Sequence, residues 1–228
     1  MTAKLLLFAA FVICMLIMSY NFKKKKKRII LFGDSITEQG SRPGGYVRRL
    51  VEYLKSEELD DKYEIIGSGI SGNKVTDLYD RVDEDILSKG AEIVVIYIGI
   101  NDVWHKTKGQ GTEEVTFTST YDALVEKLKA AGIKVIVCTT SVIGEKIDHS
   151  NDQDDDVNLY AELVRSIASR YELPLADIRK AFLEYNLMHN VSNIGYGMLT
   201  TDMVHLNERG NQLVADEIWR VLAPELKQ

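Results

Sequence analysis

Four short segments of the 228-residue chain carry side chains able to act on a carbonyl carbon. The first is Gly33-Asp34-Ser35-Ile36-Thr37, a serine on a tight turn directly after an apolar run. A serine so placed is exposed at a sheet edge, where its hydroxyl can attack once a base takes its proton. Taken singly, it reads as a helix-capping serine. The last segment is Asp202-Met203-Val204-His205. A spacing of three lets a turn bring the carboxylate to Nδ1 of the imidazole and leaves Nε2 free as the base. Taken singly, it is a surface pair. Between them, Gly99-Ile100-Asn101-Asp102 sets an amide at the end of another apolar run, as an oxyanion donor or as an Asx turn closing a strand. The stretch Gly67-Ser68-Gly69-Ile70-Ser71-Gly72-Asn73 lets backbone N–H groups approach a ligand closely.

Those glycines also satisfy G-x-G-x-x-G. A dinucleotide fingerprint belongs to the first strand–helix unit and wants an acid at the end of the next strand; this stretch follows the second strand, and the next ends Tyr97-Ile98-Gly99 without one. The nucleotide reading is therefore set aside. His105 follows Asn101 closely and reads as a substrate contact at most. The acidic loop Asp148 to Asp156 lacks calcium-loop spacing, and reads as a solvated loop whose last aspartates favour the start of a helix. The polar stretch Lys106 to Gly111 is a candidate lid.

The elements that must position these groups are legible as apolar runs. Residues 28–32, 63–66, 93–98, 133–138 and 173–176 predict strands, and their lack of alternation predicts burial on both faces, as in a parallel sheet. Three- and four-residue apolar spacing predicts helices over 46–55, 118–131, 157–171 and 207–222, the last capped by Asn207. Alternation of strand and helix argues one doubly wound α/β domain. Ligands of such sheets bind beyond the carboxyl ends of the strands, which is where the serine, the glycines and Asn101 fall.

These blocks, in this order, resemble the SGNH/GDSL hydrolase family from about Arg28 to Leu222. The resemblance implies a three-layer α/β/α sandwich with a five-stranded parallel sheet of flavodoxin-like type. It implies ester hydrolysis with no metal or other cofactor. It makes Ser35 the nucleophile, with Asp202 and His205 completing a triad, and Ser35, Gly72 and Asn101 the oxyanion hole. The family commonly has glycine where Ile100 and Met203 stand here. The expected substrate is an acyl ester, an acetylated sugar or a lysolipid. Trp104 and the segments 102–114, 141–156 and 186–201 are expected to shape the pocket. Acyl transfer with the same residues is the alternative within enzymes, and a non-catalytic tethered binding module the alternative outside them.

Charge divides the chain. Residues 1–28 hold seven basic residues and no acid, and the other 200 carry 21 basic and 34 acidic ones. So acidic a remainder excludes nucleic acid as a partner. The two cysteines, Cys14 and Cys138, exclude a disulfide framework. Leu5 to Met18 is unbroken apolar sequence followed by five lysines. It predicts a single-pass N-terminal membrane anchor with a polybasic segment over residues 1–28, favoured over a cleaved signal because the residues after it do not suit signal cleavage, with a hydrolase domain over 29–228. The flanking positive charge predicts a domain facing the cytoplasm, with export the alternative.

Overall fold

A computed structural model describes residues 25–227. Within it the side chains of Ile29-Ile30-Leu31-Phe32 are wholly buried. They lie in strand β1 (Lys27–Gly33), which pairs in parallel with β2 (Tyr63–Gly69) on one side and β3 (Ala91–Tyr97) on the other. Outside β3 lie β4 (Lys134–Cys138) and the short β5 (Leu175–Ala176), so the order is β2-β1-β3-β4-β5 and every pairing is parallel. This is the expected five-stranded α/β/α sandwich. Strand β2 runs three residues beyond its apolar run, because Gly67-Ser68-Gly69 pair with Leu31-Phe32-Gly33.

Helices α1 (Ser35–Gly40) and α2 (Tyr46–Ser56) lead from β1 to β2. Helix α3 (Val75–Val82), continued by a π turn over Asp83–Leu87, leads back across to β3. Then come α4 (Ile100–Trp104), a 3₁₀ turn (His105–Lys108), α5 (Glu114–Ala130), α6 (Asp154–Tyr171), α7 (Ile178–His189) and α8 (Glu208–Leu226). Helices α2, α7 and α8 cover one face of the sheet and α3, α5 and α6 the other. The chain thus leaves β1 toward β2 on one side and reaches β3 on the other. Open α/β sheets have their ligand crevice at such a reversal. Asp34-Ser35 and Gly99-Ile100-Asn101 follow the two strands that flank it.

Four helices had no clear periodic signal. Helices α1 and α4 have six and five residues, too few to show a repeat. In α7, Ile178 and Phe182 are buried while Leu183, Leu187 and Met188 face outward, so apolar residues on all sides hide the stripe. In α3 the buried Val75, Leu78 and Val82 do mark a face, but the helix is short. Helix α6 begins at Asp154, three residues before its apolar stripe, with Asp154, Asp155 and Asp156 in its positive first turn.

Strand β1 begins at Lys27, directly before the predicted run, and Arg28 Nε donates to Glu64 at 2.7 Å and its Nη1 to the Lys89 carbonyl at 2.6 Å. The anchored, cytoplasm-facing localisation is corrected. Among the described residues, no helix is long and apolar enough to cross a membrane. Residues 5–18, on which that expectation rested, lie outside the described residues.

Candidate active site

Strand β1 ends at Gly33, and the chain turns at once into α1. Asp34 makes that turn, its Oδ1 accepting the Ile36 N–H at 2.9 Å. This Asx cap leaves Ser35 at the helix start, 6% exposed, with its hydroxyl at the strand end. Burial pushes the Asp34 carboxyl up to about 7; the Ile36 N–H counteracts this and nearby Asp102 adds to it. Asp34 is thus a turn-former beside the serine.

The hydroxyl meets a histidine 170 positions away. Ser35 Oγ lies 3.0 Å from His205 Nε2, and His205 Nδ1 lies 2.7 Å from Asp202 Oδ2. The other carboxylate oxygen, Oδ1, accepts the N–H groups of His205 at 2.8 Å and Val204 at 3.1 Å. The spacing of three therefore makes the expected turn. Burial opposes ionisation of Asp202, but the hydrogen bonds from the His205 side chain and from the two N–H groups outweigh it and hold the carboxyl below its ordinary value. A charged carboxylate at Nδ1 keeps the ring proton there and presents Nε2 to the serine as acceptor.

The turn stands on an antiparallel bridge between Thr200 and Leu206, and Thr201 N–H donates to the His205 carbonyl at 2.8 Å. Met203 has a φ of 83°, a left-handed conformation that costs a side-chain-bearing residue about 1 kcal/mol or more. Its carbonyl accepts the Gly144 N–H at 3.0 Å. Next to Gly144 is a residue that the sequence did not mark. Glu145 is 1% exposed, and its carboxylate accepts the N–H groups of Met198 (2.8 Å), Leu199 (2.6 Å) and Thr200 (2.7 Å). One buried side chain thus holds the base of the loop that carries Asp202 and His205. Its partners lie more than fifty positions downstream, so no local signal reveals it.

Asn101 enters from the far side of the crevice. Gly99, with a φ of 117°, turns β3 into α4; a Cβ there would meet the Thr140 methyl at 2.9 Å. Asn101 is 2% exposed, and one amide hydrogen is spent on the Asn73 carbonyl at 3.0 Å. The amide has a second hydrogen to offer. Gly72, just before Asn73, has a φ of 81° and open space where a Cβ would stand. Asp102 turns the other way, its carboxylate accepting the Val75 N–H; burial raises its pKa to about 6.

Trp104 lies against the catalytic histidine candidate, ring centroids 6.2 Å apart and planes at 73°. His105 packs on the same indole, 6.2 Å from Trp104 between ring centroids, and so stands one ring removed from His205. The stretch Lys106 to Gly111 is pinned and is no free lid. Lys106 pairs with Asp156 at 2.9 Å and lies over the Tyr160 ring, and Thr112 N–H donates to the Asp102 carbonyl at 3.0 Å.

A hydrogen-bonded line of serine, histidine and aspartate suits acyl chemistry, and known proteins with similar chains include esterases. An acetylxylan esterase of Geobacillus stearothermophilus is 28% identical over 220 residues, covering 87% of this chain and 95% of the relative. The crystal structure of the acetyl xylan esterase AlAXEase superposes with a TM-score of 0.83 at 49% identity, covering 85% of this chain and 98% of that one. LAE5, an α/β hydrolase from the metagenome of Lake Arreo, Spain, superposes with a TM-score of 0.75 at 25% identity, over 86% of this chain and 95% of that one. The model of the GDSL-like Lipase/Acylhydrolase family matches residues 31–213, from inside β1 to inside α8, and so the chain belongs to that family and is a carboxylic ester hydrolase.

Proposed function

We propose that the protein is a serine esterase that removes short acyl groups, acetyl foremost, from a sugar hydroxyl. The observation that carries the mechanism is the hydrogen-bonded line from Ser35 Oγ through His205 to Asp202. His205 Nε2 takes the hydroxyl proton as Ser35 Oγ attacks the ester carbonyl. Asp202 holds the ring and stabilises the imidazolium. The N–H groups of Ser35 and Gly72 and the free amide hydrogen of Asn101 receive the developing oxyanion. The imidazolium then protonates the departing sugar oxygen. Water, deprotonated by the same nitrogen, attacks the acyl-enzyme and releases the carboxylate.

Two observations support the acetyl and sugar parts of this reading. The similar proteins named above include acetylxylan esterases. The indole of Trp104 stands beside His205, and in this reading it is the wall that keeps the acyl group short.

A fluorophosphonate probe and an ester panel test the proposal together. The probe should label Ser35 once. Ser35→Ala and His205→Ala should each lower turnover by about 10⁴-fold or more. Acetyl esters should be cleaved faster than butyryl and longer ones, and acetylated xylo-oligosaccharides should be deacetylated. Labelling that survives Ser35→Ala refutes the mechanism. A preference for palmitoyl esters refutes the substrate.

A further inference from the structure

We infer that Arg81, on α3, is a positioning residue that sets the distance between the nucleophile turn and the oxyanion donors. The inference rests on the oxyanion roles proposed for Gly72 and Asn101. All five guanidinium hydrogens have acceptors. Nε donates to Asn73 Oδ1 at 2.8 Å, and Nη2 to the carbonyls of Gly33 at 2.8 Å and Ser68 at 3.2 Å. Nη1 donates to Ser68 Oγ at 3.1 Å and to the Asp85 carboxylate. The guanidinium lies over the Phe32 ring, 4.4 Å from its centroid, and the side chain is 13% exposed.

Two of these acceptors border the catalytic groups. Gly33 is the last residue of β1, with only Asp34 between it and Ser35. Asn73 follows Gly72 directly, and its carbonyl accepts the Asn101 amide. One rigid planar fork therefore ties together the backbone beneath Ser35, the loop of Gly72 and, through Asn73, the side chain of Asn101. A planar group with fixed hydrogen directions suits this task; a lysine ammonium, a point charge on a flexible stem, can keep Asp85 but cannot hold all the other acceptors. Oxyanion donors act only when aimed at the site where charge develops, so loosening the fork weakens transition-state binding more than substrate binding.

The test is a kinetic cycle on the full-length protein with p-nitrophenyl acetate, using Arg81→Lys, Arg81→Ala, Asn101→Ala and the double variant Arg81→Lys/Asn101→Ala. Arg81→Lys should lower kcat about 10- to 100-fold with KM changed no more than about twofold. The double variant should be scarcely slower than the slower single one, because both changes disable the same donors. Asp85→Asn, which weakens the ion pair and spares the Gly33 and Asn73 contacts, should lower the melting temperature while kcat stays within about twofold. If Arg81→Ala does not fold, Arg81→Lys alone reads the effect. Losses that multiply in the double variant overturn the inference, as does a kcat fall in Asp85→Asn equal to that of Arg81→Lys. Full activity in Asn101→Ala overturns the oxyanion reading itself, and the inference with it.

Discussion

Glu145 makes the most demanding prediction about stability, because three main-chain donors depend on one buried side chain. In Glu145→Ala the N–H groups of Met198, Leu199 and Thr200 lose the carboxylate that accepts them at 2.6–2.8 Å. A buried donor left without a partner costs about 1–3 kcal/mol. Three such donors, with some relief from entering water, cost about 4 kcal/mol, a large part of the 5–15 kcal/mol that holds a typical domain together. In a domain of this size 1 kcal/mol moves the melting temperature by about 2–4 °C, so a fall of about 8–16 °C is expected. The main-chain bonds at this position, from Glu145 N–H to the Gly195 carbonyl and from the Asn190 amide to the Glu145 carbonyl, survive the change. The loss should therefore centre on residues 195–206. Glu145→Gln keeps one oxygen but turns an amide donor toward a main-chain donor, and should fall between the two. Calorimetry gives the stability. Hydrogen exchange at Met198, Leu199 and Thr200, with the rate of Ser35 phosphonylation below the melting temperature, reads the local effect. A melting temperature within about 2 °C of the parent, or unchanged exchange at those three amides, refutes this account of Glu145.

Two further outcomes are expected. Asn101→Ala should lower kcat by about 10²–10³-fold with little change in KM, since in the proposed mechanism its amide donates to the oxyanion; steady-state kinetics that show a raised KM with kcat intact would contradict this. For Asp34, the folded protein holds to about pH 7 a proton that an unperturbed carboxyl, with a pKa of 3.8, releases earlier. The folded state then binds more protons than the unfolded one across that window, so stability falls as pH rises through it. Asp34→Asn keeps the acceptor for the Ile36 N–H and abolishes the titration. Its stability relative to the parent should rise by up to about 1.4 kcal/mol per pH unit from pH 4 to 7, and urea unfolding that gives a flat difference refutes the assignment.

What the residues determined locally was read correctly from their order. Uninterrupted apolar runs mark strands buried on both faces, and the turns after two of them carry groups to the crevice: Ser35 beyond the end of β1, Asn101 beyond the end of β3. The Asp202–His205 turn closes over three residues, so spacing alone was enough to anticipate it. Helices α5, α6 and α8 were legible from their stripes, and Asn207 does cap α8, accepting the Gly210 N–H at 3.0 Å. Length and mixed exposure hid α1, α4 and α7. The leading apolar segment lies outside the described residues, and among those described no helix is long and apolar enough to cross a membrane.

Only the tertiary structure decided which distant groups support the site. Arg81 reaches Gly33, 48 positions earlier, because the α3 crossover carries the chain over the sheet edge. Glu145 reaches Leu199, 54 positions later, because the loop after β4 and the loop before α8 meet at the same end of the sheet. Neither residue has a local pattern that distinguishes it from a surface charge. The Glu145 carboxylate meets main-chain N–H groups, and Arg81 reaches the Gly33 and Ser68 carbonyls; every residue has such atoms, and a main-chain N–H or carbonyl acquires a particular partner only when the crossovers have set the strand order.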